Sequence, residues 1–216
     1  LAGGPDMEDN HKDETNDFVY NEVTIDYNAG FVGALAGLYE YFGADQTFTK
    51  WTPPEEPKVN PYSIEAKVEQ ENKQRTQVSV RVHQEFVTPP TMVDDLSARY
   101  YFDISELLDS GETLDDVQIA LYYDEAASLG EKPATITGPT RVGTTGNQYY
   151  ITIAWPGAFI GKRDLQFGVI AKQNTSTYED YWDPTNDYSR TGLSDTEIGP
   201  TNNIPLYRAG TLVFGK

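Results

Sequence analysis

From Ser63 onward, apolar and polar residues alternate in short runs separated by turn-forming residues, and no other feature constrains the fold as much. Ile64, Ala66 and Val68 occupy every second position, as do Val78, Val80 and Val82, with Phe86 continuing less regularly. A period of two places such side chains on one face of a strand. Further strands are expected over 98–104, 117–123, 149–154, 165–171 and 206–214, divided by Gly, Pro, Asn and Asp. Many short strands with hardly any helix predict a mainly β fold, an antiparallel β-sandwich or jelly roll. No internal repeat is visible.

The first 43 residues have a different character. An acid-rich loop runs from Asp6 to Asp17, and Asn28 is placed to cap a helix over 29–42. Phe31, Leu35, Leu38 and Phe42 follow helical spacing there, and Gly43 ends the segment. One such helix cannot form a domain, so it must pack on something else. Residues 44–62 change to Thr, Pro, Glu and Lys, with Pro53, Pro54, Pro57 and Pro61, which predicts an extended linker. Trp51 stands out in it, since a tryptophan in a linker usually docks. The expected organisation is therefore 1–43, a linker over 44–62, and a β module over 63–216.

Charge narrows the partners. The chain has 34 acidic and 16 basic residues, a formal net charge of −18. That surface repels nucleic acid and anionic membranes, and it suits a neutral ligand or cations. No apolar run approaches the roughly 20 residues of a membrane helix. With no cysteine, disulfides and thiol chemistry are excluded.

Two groups of residues could carry chemistry. Tyr181-Trp182-Asp183-Pro184-Thr185-Asn186-Asp187-Tyr188-Ser189 gathers carboxylate and amide oxygens around a proline turn. Such a donor set without histidine or cysteine suits calcium, and it equally suits an Asx turn capped by its own side chains. Near the N-terminus, Asp13, Asp17, Glu22 and Asp26 lie among Phe18, Tyr27 and Asn28. Carboxylates beside aromatic rings are what glycoside hydrolysis requires, and a solvated acidic loop is the competing reading. His11 and His83 are too far apart to form a metal or nucleophile site.

The pattern Asp13-x4-Phe18-x3-Glu22-x-Thr24-x3-Asn28-Ala29 resembles the second signature of family 9 glycoside hydrolases, the (α/α)6-barrel cellulases. The resemblance implies that 1–43 is the C-terminal end, including the last helix, of such a catalytic domain. It further implies that Glu22 is the general acid of an inverting mechanism and that Asp13 supports the active site. Thr15 stands where an arginine is common, and His11 where an aromatic is common. The aspartate pair that activates water in that family has no counterpart here. Inversion needs two carboxyl groups about 6.5–9.5 Å apart, so this chain alone is expected to be inactive.

The β region resembles a family 3 carbohydrate-binding module of the c-type, fused behind family 9 catalytic domains. The matching stretches are Leu96 to Glu106, Thr113 to Val117, Tyr181 to Leu193, Ile204 to Tyr207 and Leu212 to Gly215. The resemblance implies a nine-stranded jelly roll with one structural calcium, held by Asp103, Glu106, Asp183, Asn186 and Asp187. It implies a cellulose-facing strip near Tyr122, Tyr123 and Glu125, with Glu125 where the strip's histidine stands. Tyr122 and Tyr123 adjoin on a strand, so at most one is expected on that strip. Tyr149 and Tyr150 are expected to be packing residues. The implied protein is a secreted endo-β-1,4-glucanase whose module guides a single glucan chain towards the catalytic cleft. The alternative is a stand-alone cellulose-binding or scaffold module with no activity of its own.

Overall fold

The structure, a computed structural model, describes residues 25–43, 60–85 and 92–216. Asp13, Glu22, His11, Trp51, Phe86 and the linker prolines before Asn60 lie outside the described residues. The chain divides into two units, Leu1–Thr52 and Pro53–Lys216.

In the first unit, helix α1 spans Ile25–Phe42. It starts before Asn28, which therefore sits inside the helix rather than capping it. The intrinsic cost of asparagine in a helix, under about 0.7 kcal/mol relative to alanine, is too small to force a start at that point. The Gly43 amide donates to the Tyr39 carbonyl at 2.7 Å and ends the helix. Phe31, Leu35, Leu38 and Phe42 are all exposed.

The second unit is an antiparallel sandwich. Its strands are β1 (Tyr62–Asn72), β2 (Arg75–Gln84), β3 (Leu96–Asp103), β4 (Val117–Asp124), β5 (Thr135–Arg141), β6 (Gln148–Trp155), β7 (Gly161–Ala171), β8 (Gly199–Pro200), β9 (Leu206–Arg208) and β10 (Thr211–Phe214). The first sheet has the order β4-β7-β2-β1-β8 and the second β10-β9-β3-β6-β5. Two short helices, α2 (Ser105–Asp109) and α3 (Glu125–Ser128), follow β3 and β4.

Alternation decides which residues form the core. Ile64, Ala66, Val68, Val78, Val80 and Val82 point inward from the first sheet, and Leu96, Ala98, Tyr100, Phe102, Ile151 and Ile153 from the second. Each large apolar side chain buried this way contributes about 1.5–3 kcal/mol. Tyr100 of the second sheet meets Phe167 of the first edge-on, with centroids 5.2 Å apart. Trp182, 1% exposed, packs 6.0 Å from Phe102 and donates from Nε1 to Thr76 Oγ1 at 2.8 Å. The oxygen-rich turn after it is thereby pinned to β2 and β3.

The strand set departs from the sequence reading in three places, the shortest being β8 at Gly199–Pro200, which was not expected. The segment 206–214 is a hairpin, because Ala209 and Gly210 both adopt positive φ and fold β9 onto β10 in a two-residue loop. Strand β5 was not expected, since Gly138-Pro139 within it reads as a turn. It lies at a sheet edge with an irregular register between Thr137 and Thr140, where a proline costs no ladder bond.

Candidate functional site

The end of β3 and the turn after Trp182 bring together all five residues of the expected oxygen cluster. Asp187 Oδ1 accepts from the Asp103 amide at 2.9 Å. Glu106, at the start of α2, accepts from the Asp183 amide at 3.2 Å and from Asn186 Nδ2 at 2.8 Å. Asp183 turns its own carboxylate to the amide and hydroxyl of Thr185, at 3.0 and 2.7 Å. Asp103 does the same with the amide and hydroxyl of Ser105. Among the described residues, no three His, Cys, Asp or Glu side chains are drawn together tightly enough to hold an ion jointly.

One member of the cluster has a different environment. Asp187 is completely buried, and its Oδ2 has no hydrogen-bond partner. Burial pushes its carboxyl up to about 8, the neighbouring Glu106, Asp103 and Asp183 add to the rise, and the Asp103 amide opposes it. Burial also raises Glu106. The Thr185 hydroxyl and amide lower Asp183. An unpartnered buried carboxylate oxygen is the kind of group that a hard divalent cation would satisfy, although the described carboxylates do not converge into a formed site.

The outer face of the first sheet carries the second candidate. A shallow groove of about 550 Å³ runs over β1, β2 and β7, lined by Lys67, Glu69, Ser79, Arg81, Asp164, Gln166 and Tyr123. Arg81 grips Asp164 through Nε and Nη2 at 2.6 and 2.9 Å, and the guanidinium lowers the Asp164 carboxyl. Ser79 donates to Glu69 at 2.6 Å and accepts from Gln166 at 3.2 Å. The groove floor is thus a ladder of fixed hydrogen-bonding groups.

Both Tyr122 and Tyr123 face this side, unlike the one expected from simple alternation. The β4–β7 register slips between Leu121, opposite Phe167, and Tyr123, opposite Gln166, so Tyr122 is the extra residue of a β-bulge. The two tyrosines are 42% and 45% exposed. The Tyr122 ring lies on Gly168, where a Cβ would sit 2.9 Å from its edge, and its hydroxyl reaches Arg75 at 3.5 Å. Glu125 opens α3 and accepts from the Asp164 amide at 2.8 Å, tying that helix to the groove floor. His83 lies between Glu65 and Glu85, at 3.0 and 3.3 Å, and among the described residues these side chains form no group that could hold a metal ion.

A two-sheet antiparallel sandwich with a polar groove and paired tyrosines on one outer face defines a β-sandwich binding module. Residues 63–215 match the family described as Cellulose binding domain, and residues 1–35 match Glycosyl hydrolase family 9. The chain belongs to the cellulose binding domain family, with a glycosyl hydrolase family 9 segment ahead of it. Endoglucanase A of Bacillus pumilus is 32% identical over 223 residues, taking in 100% of this chain and 32% of that protein. The crystal structure of endoglucanase CelQ from Clostridium thermocellum, complexed with cellobiose and cellotriose, matches with a TM-score of 0.71 at 32% identity, over 100% of this chain and 35% of that one. A biomass-sensing module of a putative RsgI-like protein of the same organism, resembling a family 3 carbohydrate-binding module, matches in fold alone, at TM-score 0.54 and 14% identity over 73% of this chain and 99% of that one. Both resemblances drawn from the sequence are borne out. The chain spans between a fifth and a third of the length of the curated endoglucanases it matches over its whole extent.

Proposed function

We propose that this chain is the glucan-engaging part of a secreted endo-β-1,4-glucanase, and that its β module presents a single glucan chain to the catalytic domain. The observation that carries this reading is the outer face of the first sheet. It offers a groove with hydrogen-bonding walls and two adjoining tyrosines at one side, not a flat aromatic strip. A groove contacts one chain from several sides, whereas the surface of a crystal needs a plane of rings. Rings stack on the apolar faces of glucose, and the Arg81, Asp164 and Gln166 side chains meet the equatorial hydroxyls. Endoglucanases with the same two regions support the substrate class.

In this reading Asp187, Asp103, Glu106, Asp183 and Asn186 would hold calcium, with the buried Oδ2 of Asp187 as its anchor. The ion supplies charge that links the end of β3 to the turn at Asp183. Glu22 would protonate the departing glycosidic oxygen, with inversion, once an upstream catalytic region provides the base, and Asp13 would support it. The stand-alone binding module is the second reading; finding a catalytic region encoded upstream of Leu1 would decide for the enzyme, and a natural start near Leu1 for the module.

The binding claim is tested by titrating the chain with soluble cello-oligosaccharides and comparing wild type with the Tyr122→Ala/Tyr123→Ala double variant. The double variant should bind about tenfold more weakly, since aromatic contacts are worth about 0.5–1.5 kcal/mol each beyond their area and two are lost. Unchanged affinity would remove this face as the glucan site.

A further inference from the structure

The outer face of the second sheet carries a cluster that the groove does not use. Arg99 of β3 stacks between Tyr150 of β6 and Tyr207 of β9, its guanidinium 4.5 and 4.6 Å from their ring centroids. Tyr101 lies 5.4 Å from Tyr150 and 6.1 Å from Tyr188, centroid to centroid. The register fixes all of this on the outside. Tyr150 pairs with Tyr101 and Tyr207 with Ser97, while Leu96, Ala98, Tyr100 and Phe102 point into the core. Four tyrosines and one cation thus form a continuous row across three neighbouring strands and the turn after Asp187.

Arg99 shares with Arg75 and Arg141 the absence of an ion pair among the described residues, and it alone of the three lies between two rings. Arg81, Arg163, Arg190 and Arg208 each hold a carboxylate. Among the described residues, Arg99 has no carboxylate within ion-pair distance; it is held between the two rings. Stacking occupies the ring faces next to the guanidinium and holds it in one orientation. What remains for a ligand is the N–H edge of Arg99, the phenolic hydroxyls and the apolar ring edges. A hydroxyl-rich, uncharged polymer matches this surface. An acidic polymer would approach one cation against a net charge of −18.

We propose that this face is a second glycan subsite, taking a neutral β-linked glucan chain with Arg99 as its central hydrogen-bond donor. The proposal rests on the glucan-binding reading of the module. The two subsites lie on opposite outer faces of a sandwich whose sheets pack about 10 Å apart, so a short oligosaccharide cannot occupy both at once. A polymer or a bundle of chains can, which raises retention through effective concentration.

The experiment is a titration of the full chain with cellohexaose, followed by calorimetry and by backbone amide shifts. The expected result is two molecules bound per chain, with separate shifts around Arg99, Tyr150 and Tyr207 and around Tyr123 and Gln166. Arg99→Ala should lower the stoichiometry from two to one and leave the first-sheet shifts in place. Tyr207→Phe keeps the ring clamp and removes one hydroxyl, so it should weaken this subsite about threefold to tenfold with an unchanged melting temperature. Shifts confined to the first sheet, or an unchanged stoichiometry in folded Arg99→Ala, would overturn the subsite. Shifts confined to the second sheet would uphold it and overturn the groove reading instead. A response of Arg99 to polygalacturonate but not to cellohexaose would overturn the neutral-glucan assignment.

Discussion

Asp187 is held at one carboxylate oxygen by the Asp103 amide, and its other oxygen meets no donor at complete burial. If calcium is its partner, the folded state alone binds the ion, and stability rises by about 2.7 kcal/mol at a hundredfold excess over Kd. For a domain of this size that corresponds to about 5–10 °C in melting temperature. Differential scanning calorimetry in calcium and in chelator should show that gap for wild type and little of it for Asp187→Asn. An unchanged wild-type curve after confirmed metal loss would contradict the site. The Arg81–Asp164 pair is a milder case. The guanidinium depresses the Asp164 carboxyl, so its contribution is present above the unfolded carboxylate range near pH 4 and fades as pH falls through the lower folded value. Because the pair is only partly buried, Asp164→Asn should cost about 0.5–1 kcal/mol at neutral pH and nothing further in strong acid. Denaturant titrations at pH 7 and pH 2 measure the difference; an equal loss at both would show that the pair acts through packing alone.

At the scale of elements, the bulge in β4 decides which side chains the first sheet displays. Simple alternation along Leu121, Tyr122 and Tyr123 puts one tyrosine outside, and the slipped register against β7 puts both there. Gly168 leaves room for the Tyr122 ring, so Gly168→Ala, which would place a Cβ 2.9 Å from it, should weaken oligosaccharide binding severalfold without unfolding the sheet. Binding at wild-type strength would show that Tyr122 moves freely or plays no part. Trp182 joins the oxygen-rich turn to the core, and Thr76→Val would leave its buried Nε1 unpaired at about 1–3 kcal/mol, readable as a lower unfolding midpoint. The core strands were legible in the sequence because one face of each is buried, which imposes the period of two on residues such as Val78, Val80 and Val82. The bulge was not, because it is a property of pairing with β7 rather than of β4. Nor was β5, whose Gly138-Pro139 is tolerated only because it sits at an edge. Asp183, Asn186 and Asp187 stand out in the sequence as an oxygen-rich turn, Asp103 and Glu106 join them only through the resemblance, and the fold places the five near one another. That Asp187 is the one with an unpartnered oxygen follows only from its burial. The Arg99 clamp could not be read ahead, since it depends on β9, β3 and β6 lying side by side.

For the whole molecule, the two outer faces of the sandwich differ in what they offer. The first sheet has a groove with ionic walls, and the second a row of ring edges around one cation. Neither is a broad plane of stacked aromatic faces. The chain's net charge of −18 disfavours acidic polymers on either face, and neutral glucan is the polymer proposed for both. A family 9 segment precedes the module, and the relatives matched over the whole chain are three to five times as long. The most direct test is retention of this chain on amorphous and on microcrystalline cellulose, side by side, at equal accessible surface. The account predicts clear retention on the amorphous form, where single chains are free, and little on the crystalline one. Retention that is stronger on microcrystalline cellulose would contradict it, and would mean that the module is an anchor to crystal surfaces rather than a guide for single chains.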